Sequence, residues 1–309
     1  MKQAIRAAVA KSAFLHYLYI LYCTRKIRKK TNFRAVFLSR QGANFENHSE
    51  ILRKVAARRN TREQKICHII GSGWSLNSSH GSIDDDALIM GCNFSALLPL
   101  HYDFYFVEFG GWDVAEIAKR HLALVSELVQ TNTDLVYFKN IWEEKNDIDF
   151  MSQHWANSVV FTKDFVVPCL APEFLEQSLR YCLKESTEFV PQYCSTALTL
   201  IFIAFQSGFR NIVLHGIDFG GKYFFEDDDF DGDLTHAPPQ EERSEYYSAT
   251  KSSDQAHPTS HDDVGLEACI PVINKLLKER GATLFCATNK SPLSKYLPVY
   301  NDSKRALED

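Results

Sequence analysis

Residues 65–76 read KICHIIGSGWSL, a short apolar run that ends in glycine and passes directly into a Gly-Ser-Gly turn. Such a run, bounded by a turn signal, predicts a buried strand over Lys65–Gly71. A second run of the same kind, NIVLHGIDFGG at residues 211–221, predicts a strand over Asn211–Ile217 that leads into Asp218. ALIMGC (87–92) and DFYFVE (103–108) predict two more strands, and Leu135–Phe138, Val159–Thr162 and Thr283–Ala287 three further ones. Helical patterns alternate with them. Val114, Ile117, Ala118, Leu122, Val125 and Leu128 recur at helical spacing within Asp113–Gln130. Pro172–Lys184 and Ser195–Ser207 read as helices, the second apolar nearly all round, hence buried, and closed by Gly208. Val264–Arg280 is the last helix, with basic residues in its final turn and Gly281 after it. This alternation predicts an α/β fold, with a Rossmann-like, mostly parallel sheet and helices on both faces.

Ligands of such sheets sit at the carboxyl ends of the strands, so the strand-end residues are the candidates. Gly71, Ser72 and Gly73 end the first strand. Glycines there let the backbone approach a phosphate, though a plain tight turn reads the same way. The pattern is neither the G-x-G-x-x-G of dinucleotide folds nor a P-loop with its lysine. Asn93 ends the second strand and can donate to and accept from a base edge or ribose, or serve as a turn residue. Glu108 ends the third. Asp218 ends the long strand, with Tyr223 just beyond; it is either catalytic or a holder of its own loop, and turn chemistry favours the second. The acidic run EDDDFDGD (226–233) lacks the ligand spacing of a calcium loop and reads as a solvated segment. It opens a polar stretch, about residues 226–262, of the length expected of a lid. His257, near the end of that stretch and upstream of the last helix, is the histidine best placed to act as a general base; His261 is its competitor.

Charge divides the 309 residues into two segments. Residues 1–62 hold 15 Lys and Arg against Glu46 and Glu50, a net +13, whereas 63–309 carry −18. The basic arm predicts attraction to an anionic membrane surface, and the acidic body excludes nucleic acid as the main partner. AFLHYLYILYC (13–23), followed by Arg25, Lys26, Arg28, Lys29 and Lys30, is too short to span roughly 30 Å of hydrocarbon and reads as an interfacial helix. A helix packed on the body or on a second subunit is the alternative. The eight cysteines form no Cys-x-x-Cys pair and suit a reducing, cytoplasmic compartment.

Together these blocks resemble the bacterial sialyltransferases of glycosyltransferase family 42, the group of the Campylobacter and Haemophilus lipooligosaccharide enzymes. The resemblance covers roughly residues 65–298. It rests on Ile69–Leu76 against the family's Gly-Asn-Gly-Pro-Ser-Leu, on Cys92-Asn93, and on Ser195–Phe219 with its Gly-Ile-Asp-Phe ending. It rests also on His257, ten residues before Glu267. Ser72, Trp74, Tyr193 and Gly220 depart from the family pattern, and Glu108 stands near its second asparagine.

The resemblance implies a GT-A-like variant fold and an inverting, metal-independent transfer. The donor would be CMP-sialic acid, a related nonulosonate or CMP-Kdo, and the acceptor a glycan or glycolipid, without a bound cofactor. It implies His257 as the base and Tyr223 as a partner of the leaving phosphate. Gly71, Ser72, Gly73, Asn93, Ser195 and Thr196 would contact the donor, and Asp218 is grouped with them. A homo-oligomer and a peripheral position on the inner face of the cell membrane complete the expectation. The alternatives are a pterin pyrophosphokinase-like enzyme, which needs magnesium on acids such as Asp218, and a membrane-bound glycan- or nucleotide-binding module without catalysis.

Overall fold

A computed structural model describes residues 12–40, 44–63, 65–108, 115–131, 133–139, 159–184, 188–228, 230–238 and 264–300. Its strands are β1 (Phe45–Glu46), β2 (Ile66–Ile70), β3 (Leu88–Cys92), β4 (Phe104–Glu108), β5 (Val136–Lys139), β6 (Val159–Thr162), β7 (Asp164–Val166), β8 (Val190–Gln192), β9 (Asn211–His215) and β10 (Thr283–Cys286). Its α-helices are α1 (Ala13–Ser39), α2 (His48–Thr61), α3 (Ala115–Thr131), α4 (Leu175–Cys182), α5 (Thr196–Gln206) and α6 (Leu266–Lys278). Eight strands form one sheet in the order β1-β6-β5-β4-β3-β2-β9-β10. Every pairing in it is parallel. The α/β class with a parallel sheet, expected from the alternation, is what the chain adopts. The two-residue β1 and the short β7–β8 pair are below the length at which apolar patterning signals a strand.

Helices cover both faces. On one face α2, α5 and α6 share a core with the sheet, including Ile51, Val55, Ile201, Ile273 and Leu277 against Cys67, Ile69, Ile212 and Leu284. On the other, Leu124, Val125 and Leu128 of α3 pack on Ile70, Tyr105, Val107 and Val136. Residues Thr196–Phe205 of α5 are all buried, which is why that helix is apolar all round. Its end is set by Gly208 at φ +95°. Gly281 at φ +72° follows α6, and the Ala282 N–H reaches back to the Leu277 carbonyl at 3.0 Å.

The basic segment is laid onto this body. β1 pairs with β6, and Ile51 and Val55 of α2 are fully buried. Arg58 and Arg62, both partly exposed, bind the buried Asp103, so these two charges are paired with the body. α1 lies against α4. His16 Nδ1 is 2.7 Å from Gln177 Oε1, Thr24 Oγ1 is 3.0 Å from the Tyr181 hydroxyl, and Ile20 is fully buried. All eight cysteines are free thiols, seven of them buried.

Candidate active site

The chain lays β2 to β6 down in one direction across the sheet and then returns to place β9 and β10 on the other side of β2. The order therefore reverses between β2 and β9, the topological switch point at which open α/β sheets form their crevice. Two loops meet there. The Gly71 N–H donates to the His215 carbonyl at 2.8 Å, and the Gly73 N–H to the Gly216 carbonyl at 2.7 Å. A Cβ on Gly71 would stand 2.5 Å from the Gly216 oxygen, and one on Gly73 2.5 Å from Asp218 Oδ2. Both glycines thus serve the approach of one loop to the other. Ser72 is buried between them, and its carbonyl accepts the Phe224 N–H at 3.1 Å.

Asp218 ties the junction. Its carboxylate accepts the Ser75 N–H at 2.9 Å, the Ser75 hydroxyl at 2.8 Å and the Ser291 hydroxyl at 3.0 Å. Burial pushes its pKa up from the ordinary carboxylate value, and these donors pull it back. Tyr223 pairs across to Gly73. Its ring stacks on Phe225 at 4.9 Å and meets Phe94 edge-on at 5.7 Å, so the ring is held within an aromatic cluster. Phe94 follows Asn93, so this cluster joins the end of β3 to the loop after β9.

Asn93 adopts φ +59°, one of two non-glycine residues in the left-handed region among those described. Its carbonyl accepts the Tyr105 hydroxyl and His121 Nε2, the latter at 2.8 Å. Burial lowers His121 to about 4, so a neutral imidazole donates its Nε2 proton here. With the backbone so held, the Asn93 side-chain amide makes no hydrogen bond among the described residues and is half-buried. Ser195 is the N-cap of α5, its hydroxyl accepting the Leu198 N–H at 3.2 Å. Thr196 donates its hydroxyl to Glu108 Oε2 at 2.8 Å, and Lys139 Nζ lies 3.5 Å from the same oxygen.

The carboxyl ends of β5, β4, β3, β2 and β9 therefore line up Lys139, Glu108, Asn93, Gly71–Gly73 and Asp218 along one edge, beside the start of α5. Sequence reading passed over Lys139, one residue beyond the strand read at 135–138; alternation gives no signal for it, since Val136 and Tyr137 are buried on opposite faces of the sheet. It also passed over Ser291 and His121, whose contacts join residues 73 and 28 positions apart. Behind the edge, His68 and His215 are fully buried, ring nitrogens 2.7 Å apart, with His68 Nε2 3.0 Å from Asp84 Oδ2. His257 lies outside the described residues, as do residues 239–263, which include most of the stretch of about 226–262 expected to act as a lid. Residues 230–238 run beside α3, where His236 Nε2 is 3.1 Å from Glu127 and Arg120 bonds the Thr235 carbonyl at 2.6 Å. Among the described residues, His101, Asp103 and Asp134 form the one cluster with metal-ligand spacing. It lies at the amino end of β4, where Arg58 engages both aspartates.

No protein-family profile matches the chain, and no curated protein matches it in sequence. Solved structures share its chain path at a distance. The sialyltransferase CstII from Campylobacter jejuni, in complex with the substrate analogue CMP-3FNeuAc, is 18% identical over 75% of this chain and 85% of that one, with a TM-score of 0.45. The monofunctional α-2,3-sialyltransferase Cst-I from Campylobacter jejuni is 13% identical over 77% of this chain and 81% of that one, with a TM-score of 0.47.

Proposed function

We propose that the chain is an inverting glycosyltransferase that moves an acidic sugar, sialic acid or a related nonulosonate or Kdo, from CMP to a glycan acceptor. The observation that carries this reading is the edge just described. The uncommitted Asn93 amide, the capped start of α5 with Ser195 and Thr196, and the buttressed Tyr223 ring stand at the crevice in the same order as the motifs that resemble family 42. Asn93 would hold the nucleotide. Ser195 and Thr196 would meet the donor's anionic groups together with the N–H groups that open α5. The Tyr223 hydroxyl would bond the phosphate as charge develops on it. His257 would take the proton of the acceptor hydroxyl as its oxygen bonds the anomeric carbon and the bond from that carbon to the CMP phosphate breaks.

The acceptor side of the reading is supported by α1. Its outer face carries Phe14, Leu18, Leu21, Tyr22 and Val36 at helical spacing, with Phe14 68% and Tyr22 62% exposed, interleaved with exposed Arg25 and Lys29. An apolar face rimmed by cations suits the headgroup region of an anionic leaflet, which would bring the site to a lipid-linked acceptor. No helix among the described residues is long and apolar enough to cross a membrane.

The test is CMP release in EDTA from CMP-sialic acid and CMP-Kdo, for the wild type and His257→Ala. Turnover that falls about 10²- to 10⁴-fold in the variant is expected. Turnover indifferent to the substitution would remove the histidine. Activity seen only with magnesium and a different nucleotide would replace the reading with phosphoryl transfer.

A further inference from the structure

Among the described residues, one lysine or arginine is buried. Lys139 has a side chain 1% exposed. Taking an ammonium out of water costs several kcal/mol on the order-of-magnitude scale, and the cost is recovered only by close, well-placed partners. The three buried aspartates each have a donor at 3.0 Å or less. Arg58 and Arg62 serve Asp103, Ser75 and Ser291 serve Asp218, and Gln192 serves Asp164. Lys139 differs. Its ammonium has three protons to donate, and its one hydrogen-bond partner among the described residues is Glu108 Oε2 at 3.5 Å, an oxygen that already accepts the Thr196 hydroxyl at 2.8 Å.

Position gives this shortfall a direction. Glu108 and Lys139 are register partners at the last residues of β4 and β5, on the ligand edge of the sheet. Glu108 meets the start of α5 through the Thr196 hydroxyl, and the first turn there presents partial positive charge. The ion pairs of Arg58 and Arg62 with Asp103 lie by contrast at the amino end of β4.

We propose that Lys139 is the cation of the donor pocket, its ammonium meeting an anionic oxygen of the bound nucleotide sugar. Glu108, pinned by Thr196, holds that ammonium in place when the pocket is empty. This rests on the nucleotide-sugar reading above and adds a specificity-determining residue to it. The anion is either the phosphate or the sugar carboxylate, and three titrants separate them.

Calorimetric titration with cytidine, CMP and CMP-sialic acid would be run on the wild type and on the paired variant Lys139→Met with Glu108→Gln, which removes both charges together and so leaves no lone buried ion. Cytidine affinity should hold within about twofold in that variant. A loss of tenfold or more for CMP and CMP-sialic acid alike assigns the phosphate, and the same loss for CMP-sialic acid alone assigns the carboxylate. Unchanged affinity for both overturns the proposal and leaves the pair a structural one. Should the paired variant not fold, Glu108→Gln alone decides. Removing the competing carboxylate is expected to tighten CMP or CMP-sialic acid several-fold relative to cytidine, and no change in either ratio overturns the proposal. A wild type that binds no cytidine compound sinks the nucleotide reading itself. In that case stabilisation by inorganic pyrophosphate, dependent on Lys139, would keep the anion role, and its absence would end it.

Discussion

Asp218 shows how one side chain closes the crevice. Asp218→Ala would leave the Ser75 N–H and two hydroxyls without their acceptor in a buried place. A loss of about 3 kcal/mol is expected, within the range for unsatisfied buried donors. Asp218→Asn keeps the shape and one acceptor oxygen, and its loss should be less than half as large. Urea denaturation of both variants measures the difference, and equal losses would mean that packing, not the three hydrogen bonds, is what the carboxylate supplies. Gly73→Ala tests the same junction from the other strand. The added methyl would stand 2.5 Å from Asp218 Oδ2 and 2.9 Å from the Gly216 oxygen, a backbone atom that cannot yield cheaply. A cost of about 1–3 kcal/mol is expected. In the sequence the glycines were legible as positions of close approach. What they approach was not, because a phosphate and a neighbouring carbonyl demand the same missing Cβ.

At the scale of the element, α1 is a helix with two apolar faces. His16, Ile20, Thr31 and Ala35 are buried toward the body, while Phe14, Leu18, Tyr22 and Val36 are exposed on the opposite side. Ile20→Glu should release the helix, seen as faster amide exchange across Ala13–Ser39. Leu18→Glu with Tyr22→Glu should leave that exchange unchanged and cut binding to phosphatidylserine vesicles at least tenfold, as judged by co-sedimentation. Vesicle binding that survives the double change would assign the outer face another role. The apolar run and its basic flank were readable in the sequence. The division into a docked and an outward face was not, since apolar residues nearly all round give no periodicity by which to choose a side. α5 shows the opposite case: its uniform apolarity announced full burial correctly.

Across the whole molecule, three of the buried histidines are expected to lower stability in acid. Burial lowers His48 and His121 to about 4, and His215 well below its ordinary value. His48 Nε2 is 2.8 Å from Gln206 Oε1 while its Nδ1 has no partner, so nothing inside welcomes a second proton. Once unfolded, each imidazole takes up a proton near pH 6.5. The unfolded chain therefore holds more protons than the folded one between about 6.5 and 4, and stability falls as pH falls through that window. Each histidine contributes about 1.4 kcal/mol per pH unit at most. Urea midpoints measured from pH 7.5 to 4.5 should drop steeply below 6.5. His48→Gln should flatten that slope by roughly 1 kcal/mol per pH unit, and an unchanged slope would show that other groups set it.

The sequence by itself determined the α/β class, the central strands and the helices between them, because apolar periodicity and glycine stops are local signals. It also marked Gly71, Asn93, Ser195 and Asp218 as strand-end or helix-start residues, because position along a strand is a local property too. Only the tertiary structure decided which of them meet. The order of strands across the sheet, the reversal between β2 and β9, and the pairing of Glu108 with Lys139 depend on contacts between residues tens of positions apart, which no local pattern encodes. The docking of residues 45–62 onto the sheet belongs with these, since their charge reports the solvent face and is silent about Ile51 and Val55 beneath it. The burial of Lys139 is of the same kind: a lysine at a strand end reads as solvated until the fold places it beside Glu108 of the neighbouring strand.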